Sequence, residues 1–329
     1  MLVSAASKIF MNTSNSETSS ATPLVNRLAT QVVNGLLSVK PLAAFAKNRA
    51  RNLIIKRAES IGVAWRNDVK TLKARDTDKS FDPTWEQELA QLTNPQTIYP
   101  DYYLTSFHAY AEGNMGWEPA MEVEVAAYSV HAKIFAETGK NGDQQLRQSY
   151  HEVLQANIPA APQKIVDIGC SVGMSTIAMQ STYPQAQITG IDLSPYFLTV
   201  ANYRHGDENI QWVHAAAEHT YLPAASYDLV SLFLICHELP QTATLEIFQE
   251  AHRLLKPGGH IAIMDMNPAS EIYSQMPPYI LTLLKSTEPY LDQYFSLDID
   301  LALQTTGFES IKLIANSPRH RTVIAQVKG

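Results

Sequence analysis

The sequence predicts an α/β fold, a parallel sheet buried on both faces and preceded by a mainly helical region. Past residue 163, short runs of Val, Ile and Leu alternate with helical stretches, as in βαβ units whose strands are covered on both sides. Several of those runs end in Asp or Gly, residues suited to the turns and ligand contacts at the carboxyl edge of such a sheet. The 329 residues, 45% hydrophobic and 17% charged, are enough for one large domain plus an appendage.

Residues 1–22 are rich in Ser, Thr and Asn and poor in apolar side chains, so a disordered tail is expected. From Leu24 to about Leu72 two helical patterns follow, broken at Pro41, with Leu24, Leu28 and Val32 in the first and Ile54, Ala58 and Ile61 in the second. The segment from Leu24 to Arg75 holds 11 Lys and Arg against only Glu59 and Asp68, whereas the residues after it hold 13 basic against 29 acidic. An acidic body argues against a nucleic-acid partner, because phosphate backbones demand a basic face. The basic helices, with Lys47 and Arg51 four apart, either touch an anionic membrane surface peripherally, cap a substrate pocket, or present a solvated basic face of packing helices. No apolar run approaches the roughly 18 residues of a membrane span, and MLVSAASKIF lacks the form of a secretory signal, so a cytoplasmic chain is expected. Cys170 and Cys236 fall at predicted strand ends, where packing explains them as reduced thiols.

Between Phe81 and Leu154 aromatics accumulate, among them Tyr99, Tyr102, Tyr103, Phe107, His108, Tyr110, Trp117 and Tyr128. Helices are predicted from Pro119 to Glu137 and from Gly142 to Gln155, with Pro119 in a first turn. Glu118 and Glu122 share a helix face without a histidine at ligand spacing; they read as a solvated stripe, and no metal is expected. Residues 23–157 are thus assigned to a helical substrate-cap region and 158–329 to a ligand-binding α/β domain.

Strand one, Lys164 to Ile168, runs into Gly169, Cys170, Ser171, Val172 and Gly173 before a helix starting near Met174. Glycines there allow a sharp turn and close approach of backbone N–H groups to a ligand at a helix N-terminus. The spacing departs from the dinucleotide pattern G-x-G-x-x-G, which disfavours an NAD(P) oxidoreductase. Asp167 at the strand end would repel phosphate, so the ligand should carry a cation. Strand two closes at Asp192, placed to accept both hydroxyls of an adenosine ribose; its competing reading is an acidic residue beside a helix cap at Ser194 and Pro195. Strand three spans Ile210 to His214, strand four Asp228 to Cys236, and strand five His260 to Met264 after the turn Lys256 to Gly259. A helix from Pro277 to Ser286 and strands Glu309 to Ala315 and Arg321 to Val327 complete the chain.

In this order and spacing, VDIGCSVGMST, GIDLSP, AAAEHTYLP, YDLVSLFLICHELP and LLKPGGHIAIMD resemble the successive motifs of class I methyltransferases that use S-adenosylmethionine (SAM), especially the small-molecule group that includes quinone-biosynthesis enzymes. The resemblance covers Lys164 to Asp265. It implies a Rossmann-like sheet of seven strands with the last antiparallel, and SAM as cofactor. Asp167 and Gly169 would then face the methionine end, with Cys170, Ser171 and Gly173 in the same loop; Asp192 and Leu193 would lie at the ribose, Ala217 and Glu218 at the adenine, and Ile235 to His237 beside the sulfonium. Two positions depart from the family: Ser171 replaces a second glycine, and Ala216 replaces an aspartate that often accepts from the adenine amine, leaving that contact to Glu218 or a water.

Methyl transfer from a sulfonium needs alignment, a dry pocket and sometimes a base. His237 and Glu238, at the carboxyl end of a central strand, are the leading base candidates, followed by His108 and Tyr110; packing roles compete in each case. The segment Tyr99 to Trp117 is expected to fold over the carboxyl edge with His108, Tyr110 and Trp117 toward the transferred methyl. The aromatic middle region favours a small hydrophobic or aromatic acceptor, with a catalytically silent SAM-binding protein as the alternative.

Overall fold

The structure is a computed structural model that describes residues 51–329 apart from 108–109, 136–138 and 207–208. The predicted tail, the first basic helix, Lys47 and His108 lie outside the described residues.

Residues 51–60 are helical (α1), followed by α2 (Trp65–Ala74), α3 (Thr84–Leu92), α4 (Trp117–His131) and α5 (Gly142–Asn157). The sheet region then runs β1 (Lys164–Ile168), α6 (Met174–Thr182), β2 (Gln187–Asp192), α7 (Pro195–His205), β3 (Ile210–His214), β4 (Tyr227–Phe233), a 3-10 turn (Cys236–Glu238), α8 (Gln241–Leu254) and β5 (Leu255–Met266). Four short helices follow, α9 (Glu271–Ser274), α10 (Pro278–Lys285), α11 (Leu291–Phe295) and α12 (Ile299–Thr305), before β6 (Phe308–Ala315) and β7 (His320–Val327).

The seven strands order as β3-β2-β1-β4-β5-β7-β6. β1 to β5 pair in parallel, and β7 runs antiparallel to both β5 and β6, so the reversed last strand stands as expected. The crevice between β1 and β4, where the order changes direction, is where ligands of open α/β sheets bind.

Side chains alternate across the sheet. Val166, Ile168, Val230 and Leu232 join a core with α8 and α12, whereas Ile165, Leu229 and Ala262 join another with Leu146, Tyr150 and Leu154 of α5. Central β4 is buried along almost its whole length, while edge strand β6 exposes most of its residues. α7 begins where Ser194 accepts from the Phe197 amide at 3.3 Å with Pro195 at the first helical position, a cap the sequence spells out.

A third core ties α1 to α4 to the carboxyl edge. Trp65, Trp85 and Met121 pack with Val172 of the glycine loop and with Phe197 and Val200 of α7.

Several boundaries differ from the sequence expectation. α4 ends at His131 rather than Glu137, and Pro119 is its third residue. β4 stops at Phe233 because Leu234 takes a left-handed φ of 59° and turns the chain away. The Lys256 to Gly259 turn does not precede β5 but lies within it, as an irregularity between the pairs Tyr227 with Leu255 and Leu229 with His260.

Candidate functional site

The loop after β1 is built by its own backbone. The Gly169 and Cys170 amides both donate to the Ile191 carbonyl, at 2.8 and 2.9 Å, and the Gly173 amide donates to the Cys170 carbonyl at 2.9 Å. The first two amides hold the loop to β2, and the third closes the loop on itself. Gly169, at φ 70°, permits a close approach: a Cβ there would sit 2.6 Å from Cγ2 of Ile235 at the end of β4. Gly173, at φ 88°, admits the Trp212 ring, 2.7 Å from where its Cβ would be. Ser171 adopts φ 52° without being glycine, so its place in the family's glycine position carries backbone strain.

Asp167 is fully buried, and its Oδ2 accepts from Ser175 and Thr176 hydroxyls, each at 2.7 Å. Its other oxygen, Oδ1, has no hydrogen-bond partner among the described residues. Burial raises its pKa, and the two hydroxyls offset part of that rise. A buried carboxylate with one vacant oxygen suits a cationic donor such as an amino group. Ser171 Oγ and Glu218 Oε2 are also buried with no hydrogen-bond partner among the described residues.

Asp192 closes β2. Its Oδ2 accepts from the Ser171 amide and its Oδ1 from the Ser194 amide, both at 2.8 Å. Burial lifts its pKa to about 6, with the two amides holding it down. Both readings of Asp192 thus have a basis, since the carboxylate braces the loop and the start of α7 while facing the carboxyl edge. Next to it, the Leu193 carbonyl accepts from His214 Nε2 at 3.1 Å. Cys170 is buried, burial pushes its thiol well up, and Cys236 is likewise buried; both are free thiols, Cys170 being a packing residue of the loop.

Ala217 and Glu218 follow β3, Ala217 half-buried against the core. The Tyr102 hydroxyl donates to Glu218 Oε1. Tyr102 belongs to an irregular segment that His214 anchors: its Nδ1 accepts from the Asn94 amide at 2.9 Å, its carbonyl from Thr97 Oγ1 at 3.2 Å, and Tyr99 lies 3.0 Å from Nε2. Because the Asn94 amide can only donate, Nδ1 is bare and the ring proton sits on Nε2. Farther along, Ser194 Oγ donates to the Asn114 carbonyl at 2.7 Å. The segment therefore does cross the carboxyl edge, but through different residues from those expected.

Tyr110 donates instead to Glu122 at 2.7 Å, inside a cluster where Arg51 binds both Glu122 and Glu118. Glu122 is buried, which overturns its reading as part of a solvated stripe, and Arg51 is committed to this cluster. Trp117 stacks on Phe81, Trp85 and Tyr196 and donates to Glu86 at 2.7 Å, so it serves the helical core.

His237 differs most from expectation. Its Nδ1 lies 2.7 Å from Asp265 Oδ1, and its backbone amide donates to Asp265 Oδ2 at 3.2 Å. Burial would lower its pKa, but Asp265, with Glu288 and Glu238 farther off, lifts it to about 10. The carboxylate on Nδ1 favours the charged imidazole and fixes the orientation of the ring. Glu238 Oε1 lies 4.0 Å from His237 Nε2. Tyr294 stands beside them, its ring 6.4 Å from that of His237 and its hydroxyl donating to the Met266 carbonyl at 2.7 Å. Tyr102, His214 and Tyr294 were given no site role by the sequence and Asp265 was only the end of the LLKPGGHIAIMD motif, because each is engaged by a partner distant in sequence.

A family model described as a methyltransferase domain matches residues 165–259. The chain is 27% identical over 166 residues to an uncharacterized methyltransferase of Synechocystis sp., covering 50% of this chain and 76% of that protein. It is 36% identical over 99 residues to a trans-aconitate 2-methyltransferase of Azoarcus sp. (30% and 37%), and 25% identical over 170 residues to a ubiquinone/menaquinone biosynthesis C-methyltransferase of Desulfotalea psychrophila (50% and 66%). The chain thus spans less than two thirds of the length of those last two. In fold it is similar to a putative O-methyltransferase from Nostoc punctiforme, with a TM-score of 0.50 at 15% identity over 83% of this chain and 72% of that one. The motifs in order, the 3-2-1-4-5-7-6 sheet and the matched domain together place the chain in the class I S-adenosylmethionine-dependent methyltransferases.

Proposed function

We propose that the chain transfers a methyl group from S-adenosylmethionine to a small hydrophobic or aromatic acceptor. The observation that carries this is that Asp167 Oδ1, Ser171 Oγ and Glu218 Oε2, at the carboxyl ends of β1 and β3, are buried with no hydrogen-bond partner among the described residues, with Asp192 ending the strand between them. Asp167 fits the cofactor's ammonium, Asp192 its ribose hydroxyls, and Glu218 with Ala217 its adenine. Gly169, Cys170, Gly173, Leu193 and Ile235 shape the loop and walls around it. When bound, the cofactor supplies a sulfonium whose methyl group leaves by in-line displacement.

The chain's own residues then have separable tasks. Protonated His237 offers its Nε2 hydrogen to negative charge on the acceptor, and Glu238 is the neighbouring group able to take a proton. Tyr290 and Tyr294, on the stretch before and within α11, furnish apolar walls; Tyr102 and Tyr290 meet edge to face at 6.3 Å. This supports an acceptor with an apolar or aromatic body. Residues 51–157 act as the cap over a cofactor domain that starts at residue 158.

Calorimetric titration with SAM, followed by labelled methyl transfer to a panel of quinols, phenols and aliphatic acids, tests the proposal. Asp192→Ala is expected to weaken SAM binding by about 1.5 to 3 kcal/mol, as for the loss of charge-assisted hydrogen bonds. Unchanged affinity in a folded Asp192→Ala protein removes Asp192 from the site. SAM binding with turnover only on hydrophilic acids overturns the acceptor assignment.

A further inference from the structure

Because β7 runs against β5, its first residues stand at the carboxyl edge of the sheet, on the side of the crevice away from the glycine loop. Arg321 lies directly opposite Asp265, and the Arg319 carbonyl accepts from the Asn267 amide at 2.9 Å one step beyond the strand. Residues opposite each other in an antiparallel pair point to the same face, so Arg321 shares the face on which Asp265 holds His237. Asp265 is committed elsewhere, since its oxygens accept from the His237 ring, the His237 amide and the Met266 amide. Among the described residues neither Arg319 nor Arg321 has a carboxylate within ion-pair distance, and the Nε of each is buried with no hydrogen-bond partner. Arg319 Nη2 does donate to the Val130 carbonyl in the last turn of α4, at 3.0 Å. A guanidinium shielded from water without a counter-charge is costly, and a carboxylate is the group whose two oxygens match its fork.

We propose that Arg321, with Arg319 beside it, binds a carboxylate carried by the methyl acceptor. This rests on the reading of the acceptor as apolar or aromatic and narrows it to an acid with an apolar body. β7 is separated from β4 by β5 alone, so the carboxylate sits about 10 Å from the end of β4, two strand spacings away. That is too far for it to be the group that receives the methyl; it anchors one end of the acceptor while the other end lies near His237. Glu238, which follows β4, repels a negative charge at that end and so orients the acid toward β7. Along the same edge the rings of His237, Tyr294, Phe295 and Tyr273 follow one another with centroids 6.4, 6.1 and 5.2 Å apart, and the Tyr294 hydroxyl fixes this row to the end of β5 through the Met266 carbonyl. Such a row suits an aromatic body between the two ends.

The test is calorimetric titration of the full chain, saturated with S-adenosylhomocysteine, with cinnamate, cinnamamide and methyl cinnamate. Cinnamate is expected to bind about tenfold more tightly than its neutral forms, the size of a charge-assisted pair of hydrogen bonds. Arg321→Met should abolish that preference and Arg321→Lys keep part of it. Because a shielded cation without a counter-charge does not stabilise the fold, Arg321→Met should leave the urea midpoint unchanged or raise it. A lowered midpoint makes Arg321 a fold contact and overturns the proposal, as does an acid preference that survives Arg321→Met. Neutral forms that bind as tightly as cinnamate sink the acid subsite and leave the apolar acceptor standing. Binding of none of the three removes the apolar acceptor, and the subsite with it.

Discussion

His237 keeps its proton through the neutral range because Asp265, 1% exposed, has no water to share its charge and is held 2.7 Å from Nδ1. A histidine whose folded pKa is raised from 6.5 to about 10 stabilises the fold fully below pH 6.5 and loses that contribution as pH climbs through 10. In Asp265→Asn, burial is opposed only by Glu288 and Glu238, so the His237 pKa should fall well below 10, as read from the ring-proton shifts in an NMR titration. The variant should cost about 3 kcal/mol of stability at pH 7, and the decline in stability between pH 6.5 and 10 should flatten. A His237 that still titrates near 10 would show that Glu288 and Glu238, not Asp265, set its charge. The same sequence letters, HELP, were compatible with a general base. Only the carboxylate 28 residues on, across the neighbouring strand, makes the imidazole a cation.

Among the elements, the helical region is joined to the sheet by a guanidinium on an aromatic pair. Arg75, just past α2, lies over Trp85 of α3 at 3.6 Å and Tyr203 of α7 at 4.1 Å from the ring centroids, and the two rings meet edge to face at 5.0 Å. It also pairs with Glu88 and donates to Thr84 Oγ1 at 2.9 Å. Its side chain is 9% exposed, so solvent does little to weaken these contacts. Arg75→Ala is expected to cost about 2 to 4 kcal/mol, read as a lower urea midpoint, and Arg75→Lys to recover only part because an ammonium cannot stack on two faces. A midpoint unmoved by Arg75→Ala would mean that the apolar core of Trp65, Trp85 and Met121 carries the junction by itself. Helical periodicity made α1, α4 and α5 legible, yet it did not mark α3 and could not say that Arg75 of a basic segment would be buried against rings instead of solvated.

At the scale of the molecule, the helical region is both cover and core. Val172, Phe197 and Val200 of the cofactor domain are 1 to 5% exposed because α1 to α4 lie on them, and buried Asp143 in α5 is paired with His131 of α4 at 2.6 Å. A truncated chain starting at Asn141 strips all of these partners at once. It should bind a hydrophobic dye, lose cooperative melting and fail to bind SAM, because Val172 belongs to the glycine loop itself. Full SAM affinity in that truncated chain would show instead that the helices only cover the edge.

The sheet region was readable from the chain alone because its signals are local. Asp167 and Asp192 end strands, Gly169 and Gly173 sit where φ is positive, and short apolar runs alternate with amphipathic helices, so fold class, strand sequence and loop followed from near neighbours, and the cofactor from the resemblance that the motifs carry. Pairings between distant residues carry no such mark. The proton on His237, the burial of Glu122 under Arg51 and Tyr110, and the choice of Tyr102 over Tyr110 and Trp117 at the carboxyl edge each depend on which side chains meet across 12 to 116 residues of chain. A pKa or an acceptor's partner is set by what surrounds it in space, and that only the tertiary structure decided.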